Sequence, residues 1–139
     1  MRNWKASVAV GLLLPFVVTV VVLAQTQGDL NQRACNEYKR ADAELNKLYE
    51  RILSENRADT VFVRKMRAAQ RAWVSYRDAH LESLYPAADK REYGSVHPMC
   101  HCMSLTEITK KRTNELRRWV QGVPEGEVCA GSIKIRDVK

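Results

Sequence analysis

The stretch Ala68–His80, AAQRAWVSYRDAH, decides how the chain folds. At 3.6 residues per turn it reads as one helix whose apolar arc carries Met66, Trp73, Tyr76, Leu81 and Leu84. Gln70 and Arg77 fall inside that arc. A helix with one apolar face normally turns its charges outward, so an inward arginine calls for partners on neighbouring elements. The same pattern recurs elsewhere. A helix over about Asp29–Asn56 places Asp42 between Tyr49 and Leu53, with Asn46 beside it. A third, over about Ser104–Gln121, places Arg112 between Trp119 and Leu105.

The first of these helices repeats Tyr38, Ala41, Leu45, Leu48, Tyr49 and Ile52 at spacings of three and four. Asp59 is a candidate N-cap for the second, Thr60–Leu84, and Pro86 helps to end it. The segment YPAADKREYGSVHPMCHC is rich in Pro, Gly and Ser and reads as irregular. Gly122 is a C-cap candidate for the third helix. The tail VPEGEVCAGSIKIRDVK offers one short strand, SIKIR, or is loose except at Cys129. The expected fold is all-α: a small three-helix bundle built on a long antiparallel helical hairpin and linked by disulfides.

The chain has 139 residues, enough for one domain. It opens MRNWK and continues as an apolar run from Ala6 to Ala24, the pattern of a secretory signal peptide cleaved after Val22-Leu23-Ala24. An uncleaved signal anchor is the rival reading, and the only one that leaves the chain in a membrane. The expected organisation is a signal peptide over 1–24, a helical domain over 25–122, and a tail over 123–139 tethered through Cys129. The protein would then be periplasmic or secreted. Loss of Arg2 and Lys5 leaves 21 basic against 16 acidic residues, a net charge of +5.

Export into an oxidising compartment makes the four cysteines, Cys35, Cys100, Cys102 and Cys129, read as two disulfides. A direct Cys100–Cys102 bridge would be strained, so each is expected to pair with Cys35 or Cys129, in an order the spacing leaves open. His97, Cys100, His101 and Cys102 also have the chemistry of copper or zinc ligands, but disulfide use outweighs that, and neither metal nor cofactor is expected. No serine sits in a strand–turn–helix elbow and no acidic pair carries a glycosidase motif, so the chain reads as a non-enzyme. Nucleic acid is an unsuitable partner for an exported chain.

Two readings of the inward polar residues follow. Asp42, Asn46, Gln70, Arg77 and Arg112 either form one structural network across the bundle, or leave an arginine free for an anionic ligand, with Trp73, Tyr76 or Trp119 as a stacking wall. The structural reading carries more weight. A separate set, Arg64, Arg67, Arg71, Lys110, Lys111, Arg117 and Arg118, lies on solvent-facing arcs and would suit an anionic envelope polymer.

Four blocks in order resemble the lysozyme inhibitor LprI-like family of small exported bacterial proteins. They are CNEYKRADAELNKLYERI, RAAQRAWVSYRDAH, YGSVHPM and ITKKRTNELRRW, together spanning about Cys35 to Trp119. The matching positions are Cys35, Ala41, Asp42, Glu44, Leu45, Asn46 and Tyr49; Gln70, Arg71, Trp73, Tyr76, Arg77 and Asp78; Gly94 and Ser95; Thr109, Arg112, Thr113 and Leu116. The resemblance implies an all-helical, disulfide-linked exported domain in which Asp42, Arg77 and Arg112 belong to the shared scaffold. It further implies a cell-envelope binding protein that inhibits lysozyme or another cell-wall hydrolase. Members often carry a cysteine just after the Tyr-Arg-Asp block, where this chain has AHLES, so the family's disulfide pairing does not carry over. Because common animal lysozymes are strongly basic, a +5 partner would meet like-charge repulsion. Insertion of a loop into the glycan cleft would circumvent it, and the candidate loop is Tyr93, Gly94, Ser95, Val96, His97, Pro98 and Met99. A plain helix connection is the competing reading of that loop. The alternatives to inhibition are binding of an anionic envelope polymer, or a structural envelope role without lysozyme activity.

Overall fold

The computed structural model describes residues 26–136, so the expected signal peptide and its cleavage site lie outside the described residues. Helix α1 runs Gln27–Glu55, α2 Thr60–Leu84 and α3 His97–Gln121, with a short 3₁₀ turn, η1, at Lys90–Tyr93. Thr26 starts α1 two residues earlier than the apolar pattern suggests, because its hydroxyl accepts from the Asp29 amide at 3.2 Å. The Asp29 carboxylate in turn accepts from the Thr26 amide at 3.0 Å. Asp59 caps α2 through the Phe62 amide at 2.9 Å. None of the helices among the described residues is long and apolar enough to cross a membrane.

The core is made where the three apolar stripes meet. Leu45, Ile52 and Leu53 of α1, Met66 of α2 and Leu116 of α3 are buried together, fringed by Leu48, Phe62, Val63, Trp73 and Trp119. Met66 and Trp73 keep their places in the expected arc, whereas Tyr76 and Leu84 are 57% and 46% exposed. The arc of α2 is therefore narrower than its composition suggests, since α2 packs less closely on its neighbours than α1 does on α3.

The α1–α3 pair is parallel and closely apposed. Lys110 reaches Glu37 at 2.7 Å and, one heptad further along both helices, Arg117 pairs with Glu44. Along this seam α3 buries the small side chains of Thr106, Thr109 and Thr113, and α1 buries Ala41. Thr106 and Thr113 satisfy their hydroxyls on the carbonyls one turn back, at 2.8 and 3.0 Å. These residues let two backbones approach without burying unpaired hydroxyls at those two positions.

The disulfide pattern differs from expectation. Cys35 is bonded to Cys102, while Cys100 is half-buried and free and Cys129 is exposed and free. The reason is the early start of α3. Pro98 suits a first helical turn, whose amides lack intrahelical partners anyway, so the segment read as irregular is helical from His97. On a helix, residues two apart point about 200° away from each other, so only one of Cys100 and Cys102 can face α1. Cys129 follows the far end of α3, about 28 Å of helix from Cys102.

The tail is accordingly held by something other than Cys129. Val123 and Ile135 form a single parallel bridge, with the Val123 amide donating to Lys134 at 2.9 Å and the Arg136 amide donating to Val123 at 2.8 Å. Val123 and Ile133 are buried, and the Trp119 indole donates to the Ser132 hydroxyl at 3.1 Å. Gly122 makes the turn at φ +72°, where a Cβ would lie 2.7 Å from the Lys134 carbonyl.

The 67-residue separation of Cys35 and Cys102 makes its cross-link worth about 4 kcal/mol in the chain-entropy treatment. Cys35→Ser should lower the unfolding free energy by about 2–4 kcal/mol in urea titration. Alkylation of the unreduced, denatured protein should mark two thiols by mass. Four labelled thiols, or none, would contradict this disulfide pattern.

Candidate functional site

Two constellations draw on the residues singled out from the sequence. The first centres on Trp73, which lies half-buried on the inner side of α2. The Arg77 guanidinium stands 5.5 Å from its ring centroid and that of Arg112 stands 6.0 Å away. One indole thus meets two cations, each mostly buried at 15% and 13% side-chain exposure.

Each arginine is held by a different set of acceptors. Arg77 donates to Asp78 at 2.8 Å and to the Tyr38 hydroxyl at 3.4 Å, and its Nη1 lies 3.9 Å from Asp42. Arg112 donates to Gln70 at 3.1 Å and to Glu115 at 3.0 Å. Asn46 donates to Asp42 at 3.0 Å. The five expected residues therefore fall into an Asp42–Asn46–Arg77 group and a Gln70–Arg112 pair, related through Trp73. Asp78 and Glu115 supply carboxylates that lie outside the apolar arcs and were missed for that reason. Burial pushes the Tyr38 hydroxyl above its ordinary range, and Arg77 opposes that shift. Neither guanidinium is left without an acceptor, so the alternative reading, an arginine left free for an anionic ligand, finds no such arginine in this cluster.

The second constellation is the end of the bundle at the α2–α3 connection. Tyr85, Tyr93, His97 and His101 pack ring on ring, with Tyr85 edge-on to His97 at 4.7 Å and Tyr93 stacked on His97 at 5.3 Å. Lys90 ties the connection down through Glu82 at 2.9 Å and the Tyr85 carbonyl. The Lys90 ammonium holds the Glu82 carboxyl below its usual value. Tyr93 accepts from the Ala87 amide at 2.8 Å, and Asn31 of α1 donates to the Ser95 carbonyl at 3.0 Å. The seven-residue candidate loop is thereby corrected to a three-residue tip. Tyr93 closes η1, His97, Pro98 and Met99 form the first turn of α3, and Gly94, Ser95 and Val96 form the exposed connection between them. Gly94, at φ +72°, makes the turn.

His97 and His101 are one helical turn apart, with ring centroids 5.7 Å from each other. Among the described residues, groups of three or more His, Cys, Asp or Glu placed to hold a metal do not occur. The His97 Nε2 is buried without a hydrogen-bond partner. Burial lowers the pKa of His101, and the neighbouring His97 adds to that shift. Of the basic residues named from the sequence, Arg118 of α3 is exposed and forms no ion pair among the described residues, and the other six divide by element. Lys110, Lys111 and Arg117 are paired with Glu37, Glu107 and Glu44, whereas Arg64, Arg67 and Arg71 lie exposed on α2.

These features define a small helical domain with one inter-helix disulfide, a cation-flanked tryptophan and a braced, exposed tip. The pattern that describes the family Lysozyme inhibitor LprI matches residues 23–116, and the chain belongs to that family. A protein of Rhizobium meliloti (strain 1021), described as uncharacterised, is 37% identical over 109 residues, covering 70% of this chain and 76% of that one. No solved structure matches the chain.

Trp73→Ala should destabilise the fold by about 3 kcal/mol, because it removes the core ring and both cation contacts. Arg77→Ala should cost less, about 1–2 kcal/mol, since its ion pair with Asp42 is long and partly hydrated. Urea titration of the two variants checks this order. A depressed His101 pKa means that the unfolded chain takes up the proton first. Stability should therefore be intact above the ordinary histidine value of 6.5 and decline as pH falls from there through the lower folded value. His101→Gln should remove that part of the melting curve's pH dependence.

Proposed function

We propose that the chain is an exported binding protein, periplasmic or secreted, that inhibits lysozyme, and that it performs no catalysis of its own. Membership of the Lysozyme inhibitor LprI family is the observation that carries this reading. The geometry of the 94–96 tip supports a way of doing it. Gly94, Ser95 and Val96 are exposed, yet their bases are held by the Asn31–Ser95 bond, the Tyr93–Ala87 bond and the first turn of α3. A tip fixed before binding loses little conformational freedom on entering a cleft. It also presents neutral residues, which avoids bringing the chain's positive charge against a basic enzyme at the point of entry.

The proposed organisation keeps a leader over 1–24, a helical domain over 25–122 and a tail over 123–139. The test titrates oxidised mature protein into animal c-type and g-type lysozymes acting on a neutral soluble chitooligosaccharide, and into bacterial muramidases acting on soluble peptidoglycan fragments, where coating of an insoluble wall cannot imitate inhibition. Dose-dependent loss of hydrolysis by one class is expected. Val96→Asp, at an exposed position, should weaken that inhibition at least tenfold. Full activity of every enzyme at saturating protein would overturn the inhibitor reading.

A further inference from the structure

The turn after α1 and the first half of α2 concentrate arginines that form no ion pair among the described residues. Between Thr60 and Arg77 the helix carries Arg64, Lys65, Arg67, Arg71 and Arg77 and contains neither Asp nor Glu. Arg64, Arg67 and Arg71 share one stripe, separated along the axis by about 4.5 and 6 Å. Arg57 extends the set from the α1–α2 turn. Among the described residues, none of these four side chains forms an ion pair, whereas Lys110, Lys111, Arg112 and Arg117 of α3 all do.

The four arginines, with Thr60 and Val63, line a cleft of about 280 Å³. Arg67 and Arg71 are shared with a second cleft of about 580 Å³, walled on the α1 side by Tyr49 and on the α2 side by Gln70 and Ser75. The two clefts therefore make one groove along the α1–α2 face. Glu50 is the one carboxylate that lines it.

We propose that this groove binds an acidic polysaccharide, with Arg64, Arg67 and Arg71 pairing with successive anionic groups of one extended chain. Three features select that ligand class. Guanidinium forks match carboxylate and phosphate oxygens with two parallel hydrogen bonds, which suits repeated charges better than one ion. Tyr49 offers an amphipathic ring beside the cations, and Ser75 offers a hydroxyl for the sugar hydroxyls. A membrane surface would need large apolar side chains on the same face, and of the exposed ones only Val61 lies beside the arginine stripe. This proposal goes beyond the inhibitor reading and involves no lysozyme, so either can fail alone.

The test measures equilibrium binding of the full oxidised mature protein to fluorescently labelled polygalacturonate and to phosphomannan, a phosphodiester-bearing polysaccharide, with neutral dextran as reference. The two acidic polymers distinguish carboxylate from phosphate as the recognised group. Binding to at least one, weakening as salt rises, is expected. The triple change Arg64→Gln, Arg67→Gln, Arg71→Gln should weaken it at least tenfold. The equal-charge control Arg33→Gln, Lys39→Gln, Arg118→Gln, outside the groove, should change it less than twofold. Glu50→Gln should tighten binding two- to threefold, a gain that misfolding cannot produce. Equal losses in the two triple variants, no gain with Glu50→Gln, wild-type binding no tighter than to dextran, or tighter binding to phosphatidylglycerol vesicles or polyglutamate would overturn the proposal.

Discussion

The parallel apposition of α1 and α3 is the constraint on which the rest of the molecule depends. Two parallel helices separated by a third must be joined by a chain that runs up, down and up again, and that fixes α2 as the antiparallel partner of both. Small side chains at the seam, Ala41 facing the stripe of Thr106, Thr109 and Thr113, let the two backbones approach. The Cys35–Cys102 bond closes one end, and the Glu37–Lys110 and Glu44–Arg117 pairs repeat at heptad spacing along the outside. The exposed pairs contribute little stability individually, but a one-turn slip would separate both of them. Register is thus set by packing and a covalent bond, with electrostatics discriminating against alternatives.

With that pair in place, α2 has only one face to commit, and its inner stripe of Met66, Gln70, Trp73 and Arg77 is committed to it. Trp73 accounts for why two arginines tolerate positions so near the core. A guanidinium is flat and weakly hydrated, so an indole face replaces part of the lost water while the edges keep their acceptors. The outer stripe of α2 is free of such duties. It is there that positive charge accumulates without carboxylates, in contrast to α3, whose cations are mostly spent on ion pairs.

Helix existence and the inward polar positions were legible in the sequence because both depend on local periodicity. Residues 3.6 per turn apart share a face whatever surrounds them, so Arg77 and Arg112 could be placed near the core before any partner was known. What periodicity cannot give is which acceptor a long side chain reaches. Asp78 and Glu115 lie beside their arginines in the chain but off the apolar arcs, and a wheel that sorts residues into faces discards them. The start of α3 was hidden for a different reason. His97, Pro98, Cys100 and Cys102 together look irregular, although His97, His101 and Leu105 already repeat at helical spacing and proline is at home in a first turn. That misplacement made two neighbouring cysteines seem equally available to α1, when helical geometry allows one. The arginine groove was visible only as a list of basic residues; its exposure and its lack of partners are properties of the folded surface.

The disulfide also changes what it takes to break the molecule apart. Residues 35 and 102 enclose most of α1, all of α2, η1 and the beginning of α3 in one covalent ring. A single peptide-bond cleavage anywhere between Asn36 and His101, including the exposed turn after α1 and the 94–96 tip, opens that ring but leaves every helix attached to one molecule. In surroundings rich in proteases, a nick there converts a continuous chain into two cross-linked chains whose α1–α3 seam is unchanged.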